Sequence, residues 1–160
     1  MNVIRKIMIL CLLVEMVVPV WAKDYQMTMF GIKSDGTTMN TRSIQKAIDF
    51  ISENGGGRLV FTVGRYLTGS IHLKSNVRIH LGEGAVLVGS TNPCDYDMEL
   101  KAWYGLILAN KQNNIGITGK GVIDGRGREL ANNFINQVYS GVIKDKLQLG
   151  RVANRPKLVY

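Results

Sequence analysis

Carboxylates, two imidazoles and two thiols limit the chemistry that this 160-residue chain can offer. Asp95 and Asp97 form a close carboxylate pair, the kind of arrangement that acid–base catalysis uses when one group is protonated and the other ionised. They follow Pro93 in a polar stretch, and nothing nearby in the sequence positions a water between them. The pair therefore reads as a solvated turn. Asp124 stands directly before Gly125 and is expected to hydrogen-bond within its own turn. His72 and His80 each lie between apolar residues of a strand-like segment, so both rings are expected to point outward. No further His or Cys stands at metal-ligand spacing, and no metal site is assigned. Cys94 follows Asn92-Pro93 and reads as a loop residue without a catalytic base. Gly119-x-Gly121 with Gly125 misses the dinucleotide-binding spacing. On these residues alone, no catalytic residue, metal ligand or cofactor is assigned, and the substrate-binding residues are not identifiable.

The elements that would position these groups are short. Ser75–Leu81, Asn113–Gly119 and Gly121–Gly125 are strand-like runs entered or left through Gly or Asn. In the first, Val77, Ile79 and Leu81 share one face, and Arg78 and His80 share the other. Asn76 and Asn114 each precede the residue that starts a strand, and Asn tolerates the left-handed conformation of a sharp corner. Such strands predict a coiled, solenoidal sheet. Arg58–Val63, Ser70–Lys74, Ala85–Gly89, Leu106–Ala109 and Val122–Ile123 extend the pattern, with Gly64 and Gly69 as separators. Before them, Ile44, Ala47, Ile48 and Ile51 recur at helical spacing. Asn40 or Thr41 can cap this helix, and Gly55-Gly56-Gly57 ends it in a left-handed turn. Ser90–Tyr104 reads as a loop. Gly125–Arg155 is polar and strand-poor, with a short helix expected near Glu129–Phe134 or Ile135–Ile143. A last strand is expected from Lys157, and the chain stops inside it with no sign of a cap, as an N-terminal piece would.

Charge and cysteine use narrow the setting. Arg5 and Lys6 precede the apolar run Ile7–Val14, and Val20-Trp21-Ala22 supplies a small-residue cleavage pattern. Residues 1–22 are expected to be a signal peptide cleaved after Ala22, giving an exported, periplasmic or extracellular protein. Bulky Leu10 before Cys11 argues against a lipoprotein, and Glu15 against a stable membrane span. The whole chain carries a net charge of +8. Export would leave eighteen Lys and Arg against eleven Asp and Glu, consistent with an acidic ligand or simply with a basic surface. No basic run interleaved with aromatics supports nucleic acid. Cys94 alone would survive processing, so no intrachain disulfide is expected.

Phe30-Gly-Ile-Lys-Ser-Asp-Gly36, Thr41-Arg-Ser-Ile-Gln-Lys-Ala-Ile-Asp49 and Gly55-Gly-Gly57 together resemble the N-terminal module of pectate-lyase-like right-handed β-helix proteins. Tyr66–Ser90, Asp95-Tyr96, Ile117-Thr-Gly-Lys-Gly-Val-Ile-Asp-Gly125 and Arg155-Pro156 are similar to glycoside hydrolase family 28, the polygalacturonases and related pectin hydrolases. The resemblance implies an all-β fold, a right-handed parallel β-helix truncated at its C-terminal end, and an acidic pectic polysaccharide as the full-length partner. It divides the chain into a signal peptide (1–22), a cap region with a helix (23–57) and a partial β-helix (58–160) with a polar excursion at 126–155.

The family's Asn-Thr-Asp, Asp-Asp, Gly-His-Gly and Arg-Ile-Lys motifs are expected C-terminal to Arg-Pro. Here Asn40-Thr41 is followed by Arg42 and Arg78-Ile79 by His80, so no catalytic residue carries over. The expectation is a scaffold from a pectin-degrading hydrolase, inactive by itself. The alternative is a non-catalytic β-helix module that binds polysaccharide or another surface, with Tyr66, Trp103 and Tyr104 as candidate sugar-stacking aromatics. For Trp103 and Tyr104, packing against the neighbouring strand is the simpler reading. A lyase would need acidic Ca²⁺-binding clusters, which the sequence lacks.

Overall fold

A computed structural model of the chain describes residues 23–97, 105–143 and 157–159. Its strands run parallel in three sheets, and the chain visits the sheets in a fixed rotation. β1 (Asp24–Gln26), β2 (Gly57–Phe61), β5 (Val77–Leu81) and β8 (Gly116–Gly119) lie side by side in the first sheet. β3 (Gly64–Thr68), β6 (Ala85–Gly89) and β9 (Val122–Asp124) make the second sheet. β4 (Ile71–His72), β7 (Gly105–Leu108) and β10 (Lys157–Val159) make the third. Reading the order back along the chain gives three successive coils of a parallel β-helix. Each coil contributes one strand to each sheet.

The register explains why the core is continuous. Tyr25, Leu59, Ile79 and Ile117 are partners across the first sheet, and Tyr66, Leu87 and Ile123 across the second. Strand alternation sends every member of such a column to the same side, so like sits on like from coil to coil. Leu59, Ile79, Tyr66, Leu87, Ile71 and Ile107 are all buried in one cluster. Each fully buried side chain of this size stabilises the fold by roughly 1.5–3 kcal/mol.

The corners carry the conformational cost. Asn76 and Asn114 both have positive φ, 66° and 53°, at equivalent corners of adjacent coils. Their side chains also meet, with Asn114 Nδ2 donating to Asn76 Oδ1 at 3.1 Å. The left-handed corner expected from these residues is present, and an interstrand amide contact reinforces it. Gly119 ends β8 at φ 104°, where a Cβ would collide with the Leu81 backbone.

Helix α1 (Thr41–Glu53) closes the front of the coil. Its stripe Ile44, Ala47, Ile48 and Ile51 is fully buried, as the spacing predicts. The helix ends with Gly55 at φ 88° and the Gly56 N–H donating to the Ile51 carbonyl at 2.8 Å, a left-handed termination. Its polar side chains deal with the backbone groups of the coil edge. The third sheet ends at β4. Gln45 Oε1 accepts from the His72 N–H at 2.8 Å, and Gln45 Nε2 donates to the His72 carbonyl at 3.0 Å. Thr41 Oγ1 accepts from the Gly69 N–H at 2.7 Å, and Ser52 Oγ donates to the Ser75 carbonyl at 3.0 Å. The helix thus stands where a further strand would otherwise pair.

Some sequence expectations need correction. Asn40 occupies the N-cap position of α1, but its side chain does not cap the helix. That amide is committed to Lys33, accepting from its N–H at 2.8 Å and donating to its carbonyl at 2.9 Å. It pins the 33–40 loop instead. β1 and β3 were absent from the expected strands. β3 was concealed because Gly64 and Gly69 read as separators and only Tyr66 and Thr68 of the strand are buried. The two helices expected as alternatives between Glu129 and Ile143 are one helix, α2 (Gly127–Tyr139), which buries Leu130 and Val138. The strand expected from Lys157 is present and pairs with β7. The expected signal segment and Trp103 and Tyr104 lie outside the described residues. Among the described residues, no helix is long and apolar enough to cross a membrane.

The Gln45 contact is open to a direct stability test. Replacing Gln45 with Leu strips both partners from the His72 backbone and should cost about 2–4 kcal/mol, read as a lower denaturant midpoint. Gln45→Glu, which keeps an acceptor and loses the donor, should fall between. A loss below about 0.5 kcal/mol for Gln45→Leu would show that the helix caps by apolar contact alone.

Candidate functional site

The loop carrying Asp95 and Asp97 is built into the coil. Asp95 N–H donates to the Asn92 carbonyl at 3.1 Å, and Pro93–Asp95 forms a 3-10 turn. The Asp95 carboxylate accepts from Ser90 Oγ and, at 3.3 Å, from Asn92 Nδ2. Its backbone carbonyl accepts from the Ser70 N–H at 3.1 Å, at the corresponding corner one coil earlier. Gly69 permits this approach, since any Cβ there would run into the Asp95 carbonyl. Ser70 Oγ then bridges the two coils, accepting from the Asp97 N–H at 2.9 Å and donating to the Gly105 carbonyl at 2.6 Å. Helix α2 docks on the outside. Asn133 Nδ2 donates to the Thr91 carbonyl at 2.8 Å, and Gln137 Nε2 to Asn92 Oδ1 at 3.1 Å.

The two loop carboxylates therefore have different tasks. Asp95 is held inside its own turn. Asp97 turns to His72, with Oδ2 2.8 Å from Nε2 on a partly exposed surface. Asp124 Oδ1 accepts from the Arg126 N–H at 3.1 Å, the local turn contact expected of it, and its other oxygen lies 3.8 Å from Arg65 Nη2. His80 Nδ1 lies 3.0 Å from Thr118 Oγ1 on the neighbouring strand. Cys94 is exposed. Among the described residues, no group of three His, Cys, Asp or Glu is placed to share a metal ion.

Tyr66 corrects an expectation. As a sugar-stacking residue it would have to face solvent, yet it is completely buried. Its ring packs edge-on against Phe61 with centroids 4.9 Å apart, and Oη donates to the Thr62 carbonyl at 3.0 Å. It lies in the inward column of the second sheet.

The outer face of the first sheet holds the feature that sequence reading missed. Arg58 and Arg78 are register partners, as are Val60 and His80. Arg58 grips Asp24 in a bidentate pair, Nε to Oδ1 at 2.6 Å and Nη2 to Oδ2 at 2.7 Å. This hydrogen-bonded guanidinium holds the Asp24 carboxyl below the usual carboxylate range. Arg78 donates from Nη2 to Asn114 Oδ1 at 2.8 Å. The alternation of Arg78 and His80 was legible, but their alignment with Arg58 depends on register. This arrangement holds the Asp24 carboxylate, and none of its contacts forms an acid–base pair.

Tyr96 yields a pH prediction. Its Oη donates to the Ser90 carbonyl at 2.6 Å, and burial, then the Asp95 charge, push its pKa from 10.0 to about 12. The folded chain therefore keeps this proton where the unfolded chain loses it. The contribution to stability is full below pH 10 and declines as pH rises from 10 towards 12. In alkaline unfolding titrations, Tyr96→Phe should flatten that decline while costing about 1 kcal/mol at neutral pH. Equal slopes for both proteins would contradict the assignment.

No family model matches the chain. An exo-poly-α-D-galacturonosidase from Dickeya chrysanthemi is 39% identical over 121 residues, covering 66% of this chain and 20% of that protein. A Parabacteroides merdae crystal structure, provisionally described as a glycosyl hydrolase, superposes with a TM-score of 0.75 at 53% identity, over 86% of this chain and 57% of that one. The family 28 exopolygalacturonase of Yersinia enterocolitica superposes with a TM-score of 0.69 at 29% identity, over 86% of this chain and 32% of its own. The chain spans about a fifth of the length of the curated relatives it matches. Its curated homologues are polygalacturonases and its structural neighbours are family 28 exopolygalacturonases and other β-helix proteins, so the fold is a parallel β-helix related to glycoside hydrolase family 28.

Proposed function

We infer that this chain supplies the opening coils of an exported, pectin-degrading glycoside hydrolase of the polygalacturonase type. The observation that carries the reading is the 39% identity to an exo-poly-α-D-galacturonosidase over 121 residues. Inverting hydrolysis needs one carboxylic acid to protonate the leaving oxygen and one carboxylate to activate water, roughly 6.5–9.5 Å apart. Asp95 and Asp97 do not meet that need, because one is bonded into its turn and the other faces His72. The aspartates of the Asn-Thr-Asp and Asp-Asp motifs, which the resemblance places after Arg155-Pro156, would do this work in a full-length protein. The role of these opening coils is then mechanical. They close one end of the coil and set the register on which later coils stack.

Export tests the first part of this proposal and activity the second. Mass spectrometry of secreted protein should find Lys23 at the N-terminus, whereas an uncleaved cytoplasmic product would contradict export. Residues 23–160 should release no reducing ends from polygalacturonate above a buffer control. If the reading frame continues into an Asp-Asp motif, that longer product should release them, and should lose about two or more orders of magnitude when one of its aspartates becomes Asn. Cleavage by residues 23–160 alone, lowered by Asp95→Asn or Asp97→Asn, would overturn the scaffold role.

A further inference from the structure

Among the described residues, the outer face of the first sheet holds one arginine paired with a carboxylate and one that is not. Arg58 and Arg78 stand at the same register position on neighbouring strands, about 4.8 Å apart along the sheet. Like charges directly opposite one another are destabilising. Asp24 relieves Arg58 through a bidentate pair. Among the described residues, the ion pairs are Arg58–Asp24, Arg65–Asp124, His72–Asp97 and Lys74–Asp49, so Arg78 meets no carboxylate.

The next position in that column is Gly116, the register partner of Arg78. A Cβ built there would meet nothing within 4 Å except Arg78 Cγ at 3.8 Å. The column therefore has an open notch beside the stem of the Arg78 side chain. Arg78 is exposed, yet its Nη2 bond to Asn114 at 2.8 Å fixes the side chain. In the adjacent outward column, Thr118 and His80 form the polar flank of the notch.

We propose that Arg78, with Thr118 and His80 beside the Gly116 notch, is a binding subsite for the carboxylate of a uronic-acid sugar. Arg58 with Asp24 shows how this face binds a carboxylate: side-on, through two parallel hydrogen bonds. An external uronate carboxylate would take the corresponding place beside Arg78, and the neighbouring hydroxyl and imidazole would meet sugar hydroxyls. The choice of a uronate rests on the pectic reading above. The open space at Gly116 beside Arg78 does not. Such a site holds the polymer without cutting it, on a face distinct from the Ser90–Asp97 loop.

The test is titration of the full chain with trigalacturonate and with its methyl ester. The free acid should bind, and the ester should bind about tenfold or more weakly. Arg78→Gln should weaken free-acid binding by about the same factor, and Arg78→Lys should recover part of it, because it keeps the charge and loses the fork. Gly116→Asp is the most specific variant. It would place an internal carboxylate beside Arg78, copying Asp24 with Arg58, and should abolish binding while melting no lower than wild type. If Gly116→Asp fails to fold, the exposed Arg78 variants decide. Undiminished binding by Arg78→Gln, equal binding of acid and ester, or no binding by wild type overturns the subsite. None of those results touches the hydrolase reading, which fails instead if a longer product carrying the Asp-Asp motif releases no reducing ends.

Discussion

The structure depends on closing the edge of a stacked sheet. A parallel coil grows by pairing each strand with the one before it, so its first coil always presents backbone donors and acceptors with no strand to meet them. Here β1 pairs with β2, the 34–40 loop bonds to the backbone of β3, and α1 covers β4 and its flanks with side chains. Gln45 takes both the N–H and the carbonyl of His72, Thr41 takes the Gly69 N–H, and Ser52 donates to the Ser75 carbonyl. The apolar stripe beneath these residues covers the inward columns at the same time. One helix therefore satisfies hydrogen bonds and buries core together, and the strands that follow need only copy the register of the one before.

Register also organises the surface. The links from second to third sheet join Thr68 to Ile71, Gly89 to Gly105 and Asp124 to Lys157, and the later two are much longer. The second link is tied to the first through Ser70 and Asp95, and α2 in the third is tied to the second through Asn133 and Gln137. Length is thus added between the second and third sheets, while the Asn76–Asn114 corner stays short and repeats its left-handed geometry. The coil can vary its loops without disturbing its core columns.

Much of this was legible from local pattern. Alternation identified the inward residues of β5, helical spacing identified the buried stripe of α1, and Asn before a strand identified the corner. Hidden features depended on tertiary pairing. β3 is a strand because β6 pairs with it, although its bounding glycines suggest a break. Asn40 was expected to cap a helix, but a closer partner in Lys33 took its amide. Tyr66 has the composition of a sugar-binding aromatic and is a core residue by register. The same limit concealed the Arg58–Arg78 alignment, since two arginines twenty residues apart become neighbours only when the coil repeat is known.

The central claim is that order propagates from the α1-closed end through coils in register. Native-state hydrogen exchange measures that gradient residue by residue. Amides of β2, β4 and β5, covered by α1 or flanked by strands on both sides, should exchange most slowly, near the rate of global unfolding. Amides of β8 and β9 should exchange faster, through openings that leave the front coils intact. Uniform protection across the three coils, or slowest exchange in β8 and β9, would contradict the account and place the organising contacts elsewhere.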